Sequence, residues 1–373
     1  MQTELSRELG IDYPIFGFSY VPEVAGAISG AGGFGVLGAV RYGGEATELD
    51  EALEVVEAEA DGRPYGVNLV MPVSRAQVEA GGFDELEEKL AALIPEEHRE
   101  FVERFLTDHD VPPLPEDGEE VRGVLGWADA AHEPQLDVAF RHSPALLASA
   151  LGPPSKEVVD RAHEAGIKVA ALVGRVDQAL KQREQGVDII VAQGWEAGGH
   201  TGDIASMVLW PEVVDAVAPA PVLAAGGVGS GRQVAAALAL GTQGVWTGSI
   251  WLSTTECALP DGLQKLLWEA TSRDTVRSRG LTGKPARQLK TPWLEAWGSD
   301  ENPDPLQMPL QYLLTSEALA RFRAAGRHDL VGTPVGQIVG ALREARPVVE
   351  VMADLVDGAR KAAGRAHDIV GGG

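Results

Sequence analysis

Residues 221–252 read PVLAAGGVGSGRQVAAALALGTQGVWTGSIWL. An apolar run at 221–225 ends in glycines, an alanine-rich segment follows at 231–240, and a second apolar run starts at Gly244. Neither run alternates apolar with polar residues, which marks strands covered on both faces. The segment between them has the length and residue preference of a helix. The stretch is therefore a strand–helix–strand unit with parallel strands.

The same alternation continues in both directions. Apolar runs start near residues 11, 34, 65, 137, 167, 188, 221 and 244, with helical spacing at 22–29, 49–60, 178–185 and 210–217. The fourth run is placed at 137–141 (DVAFR), with the His142-Ser143-Pro144 loop after it. Eight strand–helix units are the count of a TIM (β/α)8 barrel; an open doubly wound sheet shares the periodicity. We expect residues 1–78 and 138–258 to build the barrel and 259–373 to form a helical extension packed on it. Residues 79–137 stand apart as an insertion after the third strand. They carry four basic and eighteen acidic residues, a net of −14. The expectation there is a solvated, largely helical insertion, with a lid over the barrel mouth as the functional reading.

Across all 373 residues, 31 Lys and Arg face 55 Asp and Glu, a net charge of −24. Such a surface repels phosphate backbones and anionic lipid, so neither nucleic acid nor membrane is an expected partner. The single cysteine, Cys257, cannot form an intrachain disulfide, and MQTELSRELG is not a signal peptide; a cytoplasmic location is expected. No metal is assigned, and nothing in the sequence specifies an oligomeric state.

The 45 glycines cluster in three places that matter. Gly30–Gly35 satisfies GxGxxG, but it follows a helix and precedes a strand, the reverse of a dinucleotide fingerprint. It reads as a helix cap and tight turn. Gly226 and Gly227 follow a strand and precede a helix, the order in which backbone N–H groups and the helix dipole favour an anion. Gly248 and Ser249 end the next strand, and the last two loops of a barrel commonly share one phosphate site. Gln193-Gly194-Trp195-Glu196-Ala197-Gly198-Gly199-His200 follows the sixth strand. His200, flanked by Gly199 and Thr201, has no regular face to bury against, and its imidazole can act as a base or a hydrogen-bond donor. Glu196 reads as a solvated loop charge or as a partner supporting the residues of the site. Asn68 lies within an otherwise apolar strand and needs a polar partner, either a backbone group or the edge of a bound heteroaromatic ring. His142, at the end of the placed fourth strand, is a candidate for the same mouth.

GVNLVMP, AQGWEAGGHTGD, AAGGVGSGRQVAAALALGTQGVWTGS and TGKPARQLK, in this order, resemble the nitronate monooxygenase family, also called 2-nitropropane dioxygenases. The resemblance covers residues 11–75 and 137–345. It implies a TIM barrel carrying FMN, a small-molecule substrate and O2. By this likeness Asn68, Gln193, Gly198 with its neighbour Gly199, Gly226, Gly227, Gly248 and Ser249 hold FMN, the last four around its phosphate. His200 matches the active-site histidine, a base or a donor to the nitro group, and His142 a weaker substrate contact. The implied reaction is oxidation of alkyl nitronates, or nitroalkanes, by O2 to a carbonyl compound and nitrite. One departure is Gly17 in PIFGFSY, where members often have glutamine in PIIQAPM. Flavin-dependent enoyl-thioester reductases and acyl-CoA-acting flavoenzymes share the EAGGH and AAGG motifs, so an NAD(P)H-dependent oxidoreductase is the alternative.

Overall fold

The computed structural model describes residues 1–42, 46–69, 88–115, 129–149 and 152–371. Eight parallel strands close into a barrel: β1 (Ile15–Ser19), β2 (Phe34–Gly38), β3 (Tyr65–Leu69), β4 (Leu146–Ser149), β5 (Lys168–Val173), β6 (Ile189–Gln193), β8 (Val222–Ala225) and β9 (Gly244–Thr247). The ring shuts where β1 pairs with β9, Phe16 opposite Trp246. Closure rules out the open sheet.

Alternation along each strand sorts side chains between two cores. Phe16, Phe34, Leu146, Ile189, Leu223 and Trp246 fill the barrel interior. Their chain neighbours, such as Ile15, Val67, Leu147, Ile190 and Val245, face the surrounding helices. Gly17 has outward parity: a Cβ there would lie 2.5 Å from Ile28 and 2.7 Å from Trp251. A glutamine at this position would collide with the helix layer, and the inward residue is Phe18. The Gly30–Gly35 cluster is the helix-to-strand turn that the sequence predicts, with Gly32 at φ +88°.

One expected element is wrong. Residues 137–141 are not a strand but the last part of a helix, Asp129–His142, and the fourth strand is Leu146–Ser149. Leu136, Val138 and Ala139 bury against the outer core while Asp137 and Arg141 face solvent, a helical pattern that a five-residue window could not separate from a strand. His142 consequently sits before β4, at the N-terminal rim of the barrel and away from the mouth. Its ring nitrogens lie 2.9 Å from Glu57 Oε1 and 3.1 Å from Asp50 Oδ1. The Tyr65 hydroxyl donates to the same Glu57 oxygen at 2.8 Å. Burial, then the bonded Glu57, hold the Tyr65 phenol well above its ordinary range. His142 is a clamp between two helices, not a substrate contact.

The described part of the insertion is not simply solvated. Helix Glu96–Asp108 keeps Glu96, Glu97, Glu100 and Glu103 outside and buries Phe101, Val102, Phe105 and Leu106. These meet Trp293, Trp297 and Phe322 of the C-terminal segment in a core of their own. That segment also supplies two antiparallel strands, β10 (Thr275–Ser278) and β11 (Ala286–Leu289), and β11 pairs with the two-residue β7 (Gly199–His200). Among the described residues no helix is long and apolar enough to cross a membrane, and no cluster of three or more His, Cys, Asp or Glu could hold a metal.

Replacing His142 with Gln is expected to lower the melting temperature by a few degrees, because a single amide nitrogen cannot occupy the places of both ring nitrogens, one beside Glu57 and the other beside Asp50. Turnover should stay within about twofold of the parent, since the nearest functional loops lie at the other rim. A large loss of turnover without loss of stability would return His142 to the site.

Candidate active site

The mouth of the barrel is built from the ends of the inward-facing series. Interior parity runs Ile189, Val191, Gln193 on β6 and Gly66, Asn68 on β3, so both amides point into the top layer. Asn68 is 5 % exposed. Neither amide makes a side-chain hydrogen bond with any described residue. Asn68 is buried and Gln193 half-buried, and a polar amide so placed needs a partner, which a ligand edge with N–H and C=O groups would supply. Phe18 and Trp246 stack beneath this layer at 6.4 Å, and Tyr20 meets Phe18 edge-on at 5.0 Å.

The glycines divide by role. Gly198 is a packing glycine: a Cβ would lie 2.8 Å from Gly336 N and Val335 C. Gly226, at φ +94°, is tight against Ser206 and Gly194. Gly199 at φ +75° and Gly248 have no neighbour within 4 Å of a Cβ position, and Gly227 at φ +72° has none closer than 3.6 Å. The first two therefore shape loops, and the other three leave backbone open to a ligand. Ala225 lies opposite Trp246 in the β8–β9 register, so Gly226–Gly227 and Gly248–Ser249 leave the sheet side by side. The helix that follows the first pair begins at Gly231.

A strap from the C-terminal segment joins these loops. Gly336 N–H donates to Ser249 Oγ at 2.8 Å, and Gln337 N–H donates to Glu196 O at 2.9 Å. With one lone pair of its oxygen occupied, the Ser249 hydroxyl keeps its proton to donate elsewhere. The Glu196 carboxylate is not a solvated charge. It accepts from Ser206 N at 3.0 Å and Ser206 Oγ at 2.8 Å, at the first turn of helix Ser206–Val217. Open glycine N–H groups, a hydroxyl proton, a helix N-terminus and two inward-facing amides are what a phosphate-bearing cofactor with a polar-edged planar ring requires. The residues present fit the FMN that the sequence resemblance implies.

His200 extends from β7 at this mouth. Its Nε2 lies 2.8 Å from Thr282 Oγ1. Burial, with the nearby Lys284 ammonium as the second cause, lowers its pKa to about 4, so the imidazole is neutral at physiological pH. Behind it, Arg287 is 3 % exposed, donates from Nε to Trp195 O at 3.1 Å, and lies with Arg277 over the Trp195 ring. Thus Asn68, Gln193, the five remaining loop residues with Gly199, and His200 all reach the barrel's C-terminal rim; His142 does not. Thr282, Lys284, Arg287 and Gly336 escaped the sequence reading as site neighbours. Three of them lie in TGKPARQLK, where only the likeness of the motif was available as a signal.

The profile described as nitronate monooxygenase matches residues 3–358. The Mycobacterium tuberculosis protein named "Putative monooxygenase Rv1533" is 46 % identical over 364 residues, covering 96 % of each chain. A "Probable nitronate monooxygenase" of Staphylococcus saprophyticus is 28 % identical over 346 residues, covering 88 % of this chain and 90 % of its own. Among solved structures, nitroalkane oxidase from Streptomyces ansochromogenes superposes with a TM-score of 0.79 at 26 % identity, over 96 % of this chain and 99 % of its own. FabK from Thermotoga maritima shares the fold, with a TM-score of 0.74 at 24 % identity, over 99 % of this chain and all of its own. With the profile spanning nearly the whole length and a relative this similar from end to end, the chain belongs to the nitronate monooxygenase family and is an enzyme of that type.

Proposed function

We propose that the protein is an FMN-dependent monooxygenase that oxidises alkyl nitronates with O2 to a carbonyl compound and nitrite. The observation that carries this reading is the pair of inward-facing amides, Asn68 and Gln193, at the same mouth as the open glycine loops and a neutral His200. Bound there, FMN would supply the electron-accepting chemistry that side chains lack. Gly227, Gly248 and Ser249 hold the phosphate; Asn68 and Gln193 satisfy the polar edge of the ring; the Phe18–Trp246 stack closes the barrel below. His200 binds the nitronate oxygens and takes the α-proton when substrate arrives as the neutral nitroalkane. With Nε2 engaged by Thr282, the task falls to Nδ1, which donates to the nitronate oxygens in one neutral tautomer and accepts the α-proton in the other.

The purified protein is expected to be yellow and to consume O2 on mixing with an alkyl nitronate in the absence of NAD(P)H. Fast anaerobic bleaching by NAD(P)H, with no nitronate-dependent O2 uptake, would instead make it a reductase of the enoyl-thioester type. His200→Ala should lower turnover by about 10²- to 10⁴-fold, the ordinary worth of a positioned proton-transfer group.

The strap predicts cofactor retention. A Cβ on Gly336 would lie 2.7 Å from Glu196 O and 3.1 Å from Gly198 N. Overpacking of this kind costs about 1–3 kcal/mol, so Gly336→Ala should weaken flavin affinity about tenfold or more, read by fluorescence on titrating flavin into flavin-free protein. Parental affinity in that variant would show that the strap is dispensable.

The lowered pKa of His200 also sets a pH dependence of stability. Its ordinary value is 6.5 and its folded value about 4. Between these, the unfolded chain binds a proton that the folded protein refuses, so stability falls as pH drops through the window. The loss from pH 7 to pH 5 is about 2 kcal/mol. In urea unfolding of flavin-free protein, His200→Gln should gain on the parent by that amount over the same interval. Parallel curves for the two proteins would contradict a buried neutral imidazole.

A further inference from the structure

We infer that Thr282 is the positioning residue for His200, holding the imidazole through its hydroxyl; the inference rests on the role proposed for His200 above. Thr282 is 2 % exposed, and its Oγ1 lies 2.8 Å from His200 Nε2, the shortest contact that this hydroxyl makes. The Lys284 N–H donates to the same oxygen at 3.3 Å, and the Lys284 carbonyl lies 3.4 Å away. The hydroxyl is therefore confined from the protein side and has its remaining capacity directed at the ring.

The loop that carries Thr282 is held far more firmly than a surface connection needs. Gly283 sits at φ +83°, where a Cβ would fall 2.5 Å from Leu306 O and from Met308 N. Its N–H donates to Arg279 O at 2.8 Å, its carbonyl accepts from Arg279 Nε at 3.1 Å, and Arg279 Nη2 reaches Pro305 O at 2.7 Å. Helix Leu310–Ala324 sends two polar side chains, both fully buried, into the same loop: Gln311 Nε2 donates to Gly280 O at 3.1 Å and Thr315 Oγ1 donates to Leu281 O at 2.9 Å. Burying an amide and a hydroxyl is costly unless each has a partner, and here both partners are carbonyls of the residues just before Thr282. The result is one hydroxyl fixed against one imidazole. Orientation errors of about 1 Å at a reacting group cost on the order of 100-fold in rate, so such rigidity has a catalytic use.

The test compares Thr282→Val, which removes the hydroxyl at nearly constant shape, with Thr282→Ser, which keeps it. Thr282→Val is expected to lower kcat about 10- to 100-fold with KM changed less than about threefold, while Thr282→Ser stays within about threefold of the parent. Flavin content should be equal in all three. In ¹⁵N-histidine-labelled protein without substrate, the His200 Nε2 resonance should move in Thr282→Val and stay in place in Thr282→Ser. Where Thr282→Val does not fold, Thr282→Ala is read by the same criteria. Unchanged kcat with an unmoved Nε2 resonance in the hydroxyl-free variant overturns the inference, and so does a Thr282→Ser variant as impaired as Thr282→Val. The resonance needs no turnover. A shifted resonance together with a fully active His200→Ala would uphold the contact and reject the role given to His200.

Discussion

Two residues of β7 and two of β11 hold the mouth together. Gly199 pairs with Arg287 and His200 with Ala286, and that pairing ties the segment between β6 and helix Ser206–Val217 to the C-terminal segment at the barrel rim. The pairing gives it an antiparallel partner and, through Arg287, a cross-brace to Trp195 O. It also sets two arginines directly opposite each other, Arg277 against Arg287. Like charges in that relation repel, and burial followed by the Arg277 charge pushes the Arg287 guanidinium below its ordinary pKa. The electron-rich face of Trp195 lies within 4.7 Å and 5.1 Å of the two guanidinium carbons and offsets part of that cost. An unfavourable pair is thus tolerated at the one place where the loop needs a rigid back.

From β11 the constraint spreads outward through the C-terminal segment. The loop between β10 and β11 is pinned by Gln311 and Thr315, and their helix, Leu310–Ala324, contributes Phe322 to a core shared with Trp293 and with Phe101 and Phe105 of the insertion. Aromatic rings there meet edge to face, Phe105 on Trp293 at 4.9 Å and Trp293 on Phe322 at 5.4 Å, which gives the contact direction as well as area. Helix Glu96–Asp108 of the acidic insertion and the C-terminal segment, far apart in sequence, share this core. The acidic residues of helix Glu96–Asp108 lie on its solvent face, while its apolar face backs the scaffold of the active-site loop.

This layout explains what the sequence disclosed and what it withheld. Buried parallel strands announce themselves as unbroken apolar runs, so the barrel and its glycine loops were legible. The fourth strand was misplaced because DVAFR, with Val138-Ala139-Phe140 at its centre, and LLAS are both short runs, and the burial of Leu136, Val138 and Ala139 against the outer core marks the first as helix. His142 went astray with it. Asn68 was visible as a polar residue in an apolar strand, whereas the inward parity of Gln193 needed the register. Gly17 drew attention for the glutamine it replaces, yet it faces the helices, and its neighbour Phe18 lines the interior. Thr282 had no signal beyond the likeness of its motif: its meaning lies in a contact 82 residues away along the chain.

Electrostatics bring these parts to one consequence. A protein of net charge −24 opposes the approach of an anion such as the proposed nitronate. That opposition is long-ranged only on paper, because salt screens exposed charges beyond roughly 8–10 Å. What an anion meets at the mouth is local: open glycine N–H groups, a neutral imidazole and the exposed Lys284 ammonium beside it. Lys284 acts in two ways there. It offers positive charge at the entrance, and it helps to keep His200 uncharged, so that the cation stays on the exposed ammonium and the group proposed to handle the proton remains neutral. Separating attraction from proton transfer in this way needs both groups at one loop, and the Thr282-Gly283-Lys284 turn places them there.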